Sequence, residues 1–221
     1  RAAKPMAAAH ADALLADAQA GLSDGWTWER RNTETGPDAI GRHEAGYTVA
    51  INVTDKVPLT REAMAEAYPG VDPGTVDISG AWDPRAFQIR DPETGKVLLD
   101  GVGVMHLSSQ HPGTETVGHE TLHMAADLVL TEKEQAQLLQ RYPGKTQGAQ
   151  WEGAAEAYGK WAREQKEAQA KPDTLFGKIY DWAKRLYQRF TGAPEATFRK
   201  VASGEVWQRA PKERAQVLQA G

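Results

Sequence analysis

The sequence predicts an α+β fold in which a small antiparallel sheet precedes a helical half and a helical C-terminal tail. β-Branched, alternating segments are concentrated in residues 46–108, whereas apolar residues at helical spacing dominate after residue 114. The chain has 221 residues, of which 40% are hydrophobic and 25% are charged, so it can bury a substantial core. It contains no cysteine, which excludes disulfides and thiolate metal sites.

The N-terminal part of the chain carries one predicted helix and one clear strand. Residues 3–20 are alanine-rich with apolar residues at helical spacing, and Gly21 is a suitable stop. Residues 22–43 are expected to be irregular, with at most a short strand around their two tryptophans. Residues 46–54 alternate and are rich in β-branched side chains, which predicts a strand.

The following segment is predicted to contain a short helix, a loop and a hairpin. Thr60 can cap a helix over residues 61–68, and the Pro- and Gly-rich stretch up to about residue 84 is predicted to be a loop. Residues 86–90 and 96–99 flank a turn and are predicted to pair.

A further strand is predicted over residues 102–108. A strand at the edge of a sheet can pair with an extended peptide backbone, so this segment is a candidate for a substrate-binding edge. An ordinary strand inside the sheet is the alternative.

The most informative motif is the run His119-Glu120-Thr121-Leu122-His123, for which Thr114 or Thr116 can serve as helix cap. Residues four apart share one face of a helix, so His119 and His123 can offer two imidazole nitrogens to one tetrahedral zinc. Glu120 then lies beside the metal, where it can act as general base and general acid. The surrounding helix is apolar nearly all round, and buried histidines and carboxylates need partners such as a metal.

A third ligand is predicted on a helix over residues 151–168. Glu152 and Glu156 lie four apart on it, and small neighbouring residues would let it approach the motif helix closely. One carboxylate can bind zinc while the other accepts a hydrogen bond from a ligating histidine. We prefer Glu152 as the ligand and Glu156 as its supporting partner, although an exposed pair on a solvated helix is the alternative.

Two other assignments concern the same half of the chain. Residues 131–141 are predicted to form a helix with Thr131 as its cap and Glu134 completing a capping box. A peptidase also needs a donor for the oxyanion of its transition state, a role that Tyr or His commonly fills. The candidates for that donor are His106, His111, Tyr142 and Tyr158.

The C-terminal tail is basic and amphipathic. Lys and Arg number 13 against 23 Asp and Glu in residues 1–159, but 13 against 7 in residues 160–221. Residues 176–190 place apolar side chains on one helical face and basic ones on the other. Packing against the body explains this pattern most simply, and docking to nucleic acid, a membrane surface or another domain is the alternative.

The pairing of the histidine motif with Glu152, Ala155, Glu156 and Tyr158 resembles gluzincin-type metallopeptidases. In thermolysin-like members a helix Glu is the third zinc ligand, and an acid four residues later orients a zinc-bound His. The resemblance implies these roles for Glu152 and Glu156, with Glu in place of the usual Asp at the second position. The ligand Glu followed by Ala and an aromatic residue is also similar to ImmA/IrrE-like regulatory peptidases.

A closer resemblance is to zincin-like peptidase domains embedded in the polyvalent proteins of phages and conjugative elements. In those domains an amphipathic helix and a Phe-Arg-x-Ile/Val-x-Ser-Gly-Glu element follow the Glu-bearing helix. Here residues 176–190 are followed by Phe198-Arg199-Lys200-Val201-Ala202-Ser203-Gly204-Glu205. The resemblance covers about residues 114–209.

We therefore expect a zincin-like metallopeptidase domain over residues 1–170 and a helical basic extension over residues 171–221. The resemblance implies a zinc-dependent endopeptidase whose protein or peptide substrate is a phage or mobile-element polyprotein or a host protein. One alternative is a non-catalytic interaction module with a structural or vestigial zinc site, which His106 or His111 could close as a fourth ligand. The other is an ImmA/IrrE-like regulatory peptidase.

The sequence also sets expectations for location and context. No run approaches the 18 apolar residues of a membrane span and no signal-peptide pattern is present, so we expect a soluble protein. The resemblance implies a cytoplasmic protein, or one that is associated with a virion or delivered to a host cell. Because the sequence begins with Arg1 rather than Met, we expect a segment of a longer polypeptide or a processed product.

Overall fold

The structure is a computed structural model that describes residues 12–13, 15–16, 25–31, 38–54, 57, 79–85, 87–90, 93–110, 114–169 and 194–209. The predicted helices over residues 61–68 and 176–190 lie outside the described residues. The described positions of the predicted N-terminal helix, residues 12–13 and 15–16, are helical.

The described residues form seven strands, four α-helices and one 3-10 helix. The strands are β1 (Trp26–Arg30), β2 (Ala39–His43), β3 (Thr48–Thr54), β4 (Gly80–Asp83), β5 (Phe87–Arg90), β6 (Val97–Gly101) and β7 (Gly103–Ser108). The helices are α1 (Thr114–Leu128), α2 (Glu132–Leu139), α3 (Gln147–Gln169), α4 (Pro194–Ala202) and the 3-10 turn Glu205–Gln208. Strands come first and helices follow, which confirms the α+β prediction.

Five of the strands form one sheet in the order β1-β2-β3-β7-β4, and β5 pairs with β6 in a separate hairpin. The sheet is mostly antiparallel, in agreement with the predicted antiparallel sheet, and the exception is the parallel pairing of β3 with β7. The physical reason is the long connection between β3 and β7, which contains β4 and the hairpin and returns the chain in the same direction.

Two strands were not predicted, and their positions change the interpretation of a third. β2 lies in the stretch expected to be irregular, and β4 lies in the stretch expected to be a loop. Because β4 pairs with β7 on the side away from β3, β7 is an inner strand. The prediction that residues 102–108 form the substrate-binding edge is therefore wrong, and among the described strands β4 is the edge strand on this side of the sheet.

One face of the sheet packs against the helices. Ile51, Met105 and Leu107 on this face are almost fully buried, as are Leu122 and Met124 of α1. Tryptophan rings lie flat across glycines of neighbouring strands, and a Cβ at Gly41 or Gly103 would overlap them. The sheet and α1 therefore share one hydrophobic core, in which burial of apolar area supplies the main stabilisation.

The C-terminal elements belong to this same core. Phe198 and Val201 of α4 and Val206 and Trp207 of the 3-10 turn are almost fully buried within it. The Phe198 ring meets Tyr158 of α3 edge to face, with ring centroids 5.2 Å apart. Among the residues that the structure describes, none of the helices combines the length and apolar character that a membrane span requires.

A charged cluster ties the last described residue to the junction between α1 and α2. The predicted capping box is confirmed, because the Thr131 hydroxyl accepts from the Glu134 amide and the Glu134 carboxylate accepts from the Thr131 amide. The same carboxylate accepts two hydrogen bonds from Arg209, at 2.6 and 2.9 Å. Arg209 also donates to the carbonyl of Val129 at 3.2 Å, and its own carbonyl accepts from the Tyr47 hydroxyl.

Because of this cluster, the free energy of unfolding depends on pH. The hydrogen bonds from Arg209 lower the pKa of Glu134 to about 2 from its ordinary value of 4.5. A depressed carboxylate pKa contributes stability that is fully present above the unfolded-state pKa and is lost as the pH falls towards the folded-state value.

We therefore expect Glu134→Gln to lower the free energy of unfolding at pH 7 by about 2 kcal/mol relative to the unsubstituted chain. This difference should shrink as the pH falls from 4.5 towards 2. Urea unfolding of chelator-treated protein across this range measures it. Glu132→Gln, which removes an exposed carboxylate of the same helix, is the matched control and should change stability by less than about 0.5 kcal/mol. A Glu134→Gln effect that stays constant with pH would contradict the prediction.

Candidate metal centre

Helix α1 brings the two motif histidines together, as the sequence predicts. One helical turn separates His119 from His123, and their imidazole rings project from the same face with centroids 4.9 Å apart. The two Nε2 atoms are 3.2 Å apart, so both nitrogens are directed towards one point.

Helix α3 supplies the predicted third group. One Glu152 carboxylate oxygen is 3.2 Å from Nε2 of His119, and the other is 3.3 Å from Nε2 of His123. Three donors bound to one tetrahedral zinc at roughly 2.0–2.1 Å stand roughly 3.3 Å from one another. The measured separations, each to one or the other Glu152 oxygen, are close to that edge length, and one donor atom from each residue lies within 4.8 Å of the other two. His119, His123 and Glu152 could therefore hold a metal ion.

A contact between helix backbones makes this convergence possible. A Cβ at Gly118 would lie 3.0 Å from the Cα of Gly159, and a Cβ at Gly159 would lie 2.5 Å from the carbonyl oxygen of Glu115. Glycine at both positions therefore lets α1 and α3 touch directly. An ion pair between Arg163 and Glu115, 2.6 Å long, holds the same crossing from outside.

The three possible ligands are partly open to solvent, whereas the neighbouring carboxylate is not. The side chains of His119, His123 and Glu152 are 22%, 20% and 24% exposed, but that of Glu120 is only 4% exposed. Within the part of the chain that the structure describes, this is the only group of three or more metal-binding side chains, and it has three members. A site with three protein ligands and access from solvent can admit a further small ligand.

The charged groups of the centre stabilise one another. Burial opposes the ionisation of His119, but its hydrogen bond to Glu152 and the nearby carboxylates outweigh burial and raise its pKa. Burial also acts against the Glu152 carboxylate, yet the hydrogen bonds from both histidines hold its pKa well below the usual range. The three groups therefore form a compact, electrostatically coupled set.

Glu120 occupies a separate, buried position beside this set. Its Oε1 lies 4.0 Å from Nε2 of His119, and burial raises its pKa. On its other side it meets the main chain of β4, where a Cβ at Gly80 would lie 2.8 Å from Oε1 of Glu120. The backbone of Trp82 acts to lower the pKa of Glu120, but the effect of burial is larger. The Glu120 carboxylate is thus enclosed between His119 and the strand β4.

Glu156 does not occupy the position predicted for a supporting partner of a ligating histidine. Its side chain is 61% exposed and accepts a hydrogen bond from Nζ of Lys160 at 2.6 Å. The alternative interpretation from sequence, that Glu152 and Glu156 are an exposed pair on a solvated helix, holds for Glu156 but not for Glu152. Glu156 lies one helical turn further along α3 than Glu152, where its side chain is exposed instead of reaching the histidines.

The candidates for an oxyanion donor are not gathered at the centre. His106 pairs with Ala81 on β4 and shares its face of the sheet, opposite the face on which Gly80 meets Glu120. Tyr158 is fully buried in the hydrophobic core, where its ring stacks on Trp161. Both predictions are wrong, because a strand alternates its faces and because the Tyr158 side of α3 packs inward.

The two remaining candidates are Tyr142 and His111. Tyr142 packs beside Gly153 on α3, and both burial and the charge of Glu195 raise the pKa of its hydroxyl. His111 lies outside the described residues.

The main-chain contribution of β4 was missed from the sequence. The run Ser79-Gly80-Ala81-Trp82 follows a Pro- and Gly-rich stretch and was included in a predicted loop. The available signal was Gly80 itself, because a glycine inside a strand often marks the close approach of another group.

Comparison with protein-family models, with curated proteins and with solved structures finds no match to this chain. The candidate centre therefore rests on its own geometry and on the resemblance carried by its motifs.

The choice between the two glutamates on α3 is open to a direct test. We expect Glu152→Ala to weaken zinc binding by at least about 100-fold, because it removes one of three ligands. Glu156→Ala is the matched control on the same helix and should leave zinc affinity unchanged within about threefold. Elemental analysis and competition with a chromophoric chelator measure both. Equal losses from the two variants would refute the assignment of Glu152.

The helix crossing gives a second prediction. Gly159→Ala should force α1 and α3 apart, lowering zinc affinity by about tenfold or more and the free energy of unfolding by about 1–3 kcal/mol. Gly153→Ala is the control, because a Cβ there would have its nearest neighbour, a Tyr142 carbon, at an ordinary 3.5 Å. Zinc titration and urea unfolding of the two variants distinguish them, and similar behaviour would rule out a special role for the crossing.

Proposed function

We propose that this chain is a zinc-dependent endopeptidase. The observation that carries the proposal is the convergence of His119, His123 and Glu152 beside the buried carboxylate of Glu120. Two imidazole nitrogens and one carboxylate oxygen, with access for a further ligand, are the donor set of a catalytic zinc site. The resemblance of the motifs to gluzincin-type metallopeptidases supports the same assignment.

In the proposed reaction His119, His123 and Glu152 hold the metal. Zinc bound there would supply Lewis acidity, lowering the pKa of a bound water and polarising the substrate carbonyl. Glu120 accepts the proton of the attacking water and passes it to the amine nitrogen as the C–N bond of the peptide breaks. Its burial favours this exchange, because a carboxylate removed from solvent has a raised pKa and takes up a proton more readily.

The edge strand β4 is the proposed platform for the substrate. The amide of Ser108 donates to the carbonyl of Ser79, so Ser79, Ala81 and Asp83 direct their main-chain groups at β7. Gly80 and Trp82 consequently direct theirs away from β7, to the side where no described strand pairs with β4. An extended peptide can pair with such an edge through main-chain hydrogen bonds, which favours an unfolded or extended protein segment as substrate.

A purely structural zinc site is the less favoured alternative. Such a site is closed by four protein ligands, whereas the group found among the described residues has three. His106, one of the two residues considered as a fourth ligand, lies on the opposite face of the sheet.

The resemblance to peptidase domains of phage and mobile-element proteins further suggests a polyprotein or a host protein as substrate.

Glu120→Gln tests the proposal. The variant keeps the shape of the side chain but cannot accept the proton, so we expect hydrolysis to fall by at least about 100-fold while about one zinc per chain is retained. Cleavage of an unstructured protein such as casein, followed by gel electrophoresis, measures activity, and elemental analysis measures zinc. Undiminished cleavage by Glu120→Gln, or no zinc in the unsubstituted chain after metal is supplied, would overturn it.

A further inference from the structure

At Gly80 the strand β4 brings only its main chain close to Glu120. A Cβ at Gly80 would lie 2.8 Å from both Cγ and Oε1 of Glu120 and 3.0 Å from Cγ2 of Thr116. Approaches under 3.0 Å are not tolerated in packed proteins without a shift of one partner. Gly80 is not among the glycines with positive φ, so space rather than backbone conformation requires the glycine.

A second glycine lets β4 pack closely beside β7. The Trp82 ring lies across Gly103 of β7, where a Cβ would overlap it. β4 is also paired with β7 over Gly80 to Asp83 and cannot retreat without disturbing that register. An added methyl group at Gly80 must therefore be accommodated on the side of α1, where Glu120 is the nearest group.

We propose that Gly80 is a positioning residue for Glu120. It lets the main chain of β4 close on the Glu120 side chain and so sets where the carboxylate stands relative to His119. Gly80 itself touches neither the proposed metal ligands nor the scissile bond. Its catalytic consequence rests on the proposed peptidase function, but the packing relation does not.

The packing relation can be measured on chelator-treated protein without any activity assay. Gly80→Ala should lower the midpoint of thermal unfolding by about 3 °C or more, because the methyl group overlaps Glu120. In a Glu120→Ala background the same substitution should cost less than about 1 °C, since the two atoms nearest to the added methyl group are gone and only Thr116 remains, at 3.0 Å. Gly153→Ala is the control, because Gly153 lies beside Glu152 and a Cβ there has ordinary clearance. It should not lower the unfolding midpoint of either the unsubstituted chain or the Glu120→Ala variant.

The catalytic arm uses zinc-loaded protein. Gly80→Ala should retain about one zinc per chain with unchanged affinity, because the ligands come from α1 and α3. Its kcat should fall by about 100-fold with KM changed less than about threefold, since a displaced general base affects the chemical step more than binding. A loss confined to KM would overturn the positioning role and indicate a contact with substrate.

The two arms separate failure of this inference from failure of the proposed function. If the unsubstituted chain hydrolyses nothing, the unfolding cycle still supports or refutes the relation between Gly80 and Glu120. Equal destabilisation by Gly80→Ala with and without the Glu120 side chain would refute it. If Gly80→Ala does not fold but the double variant does, the inference is supported; if neither folds, β4 needs this glycine for another reason and the inference is overturned.

Discussion

The candidate metal centre depends on direct contact between the backbones of α1 and α3. Gly118 and Gly159 meet at this crossing with no side chain between them. Seven residues before Gly159, two helical turns away, Glu152 reaches both motif histidines at 3.2 and 3.3 Å. The Glu152 side chain is short, so its carboxylate can reach the histidines of α1 only where the two helices pack closely together.

The sheet completes the centre by enclosing the carboxylate that does not bind metal. Glu120 follows His119 on α1 and is directed to β4 rather than to the ligand set. Among the described residues, the groups that shift its pKa are the two motif histidines, Glu152 and the backbone of Trp82, with no arginine or lysine. A carboxylate fixed by a strong cation would be locked in its charged form, whereas one held by main chain can gain and lose a proton.

The C-terminal segment stabilises the helical half from the opposite end. Arg209 joins Glu134 on α2 to the carbonyl of Val129 at the end of α1, and the backbone of Arg209 accepts from Tyr47 beside the sheet. Trp207 packs edge to face against Trp26 and Tyr47 in the same region. The basic extension predicted over residues 171–221 thus includes a part, residues 194–209, that is built into the shared core.

Local patterns in the sequence determined the helices and their chemistry. The i,i+4 spacing of His119 and His123, the capping box of Thr131 and Glu134, and the alternation of residues 46–54 each depend on a few neighbouring residues, and the structure agrees with each. The nomination of Glu152 depended on the spacing of two acids, and the structure brings it to the histidines. These features are local because helical and strand periodicity place side chains before any distant contact forms.

Only the tertiary structure decided which groups face the centre. Sequence gave no means to separate Glu152 from Glu156 by direction, to place His106 on the far face of the sheet, or to recognise β4 as the edge strand instead of β7. Each of these depends on strand order or on the angle between two helices, which are set by contacts between residues far apart in the chain. Gly80, Gly103, Gly118 and Gly159 lie at such contacts. A glycine in the sequence can indicate that another group approaches closely, but it does not indicate which distant group that is.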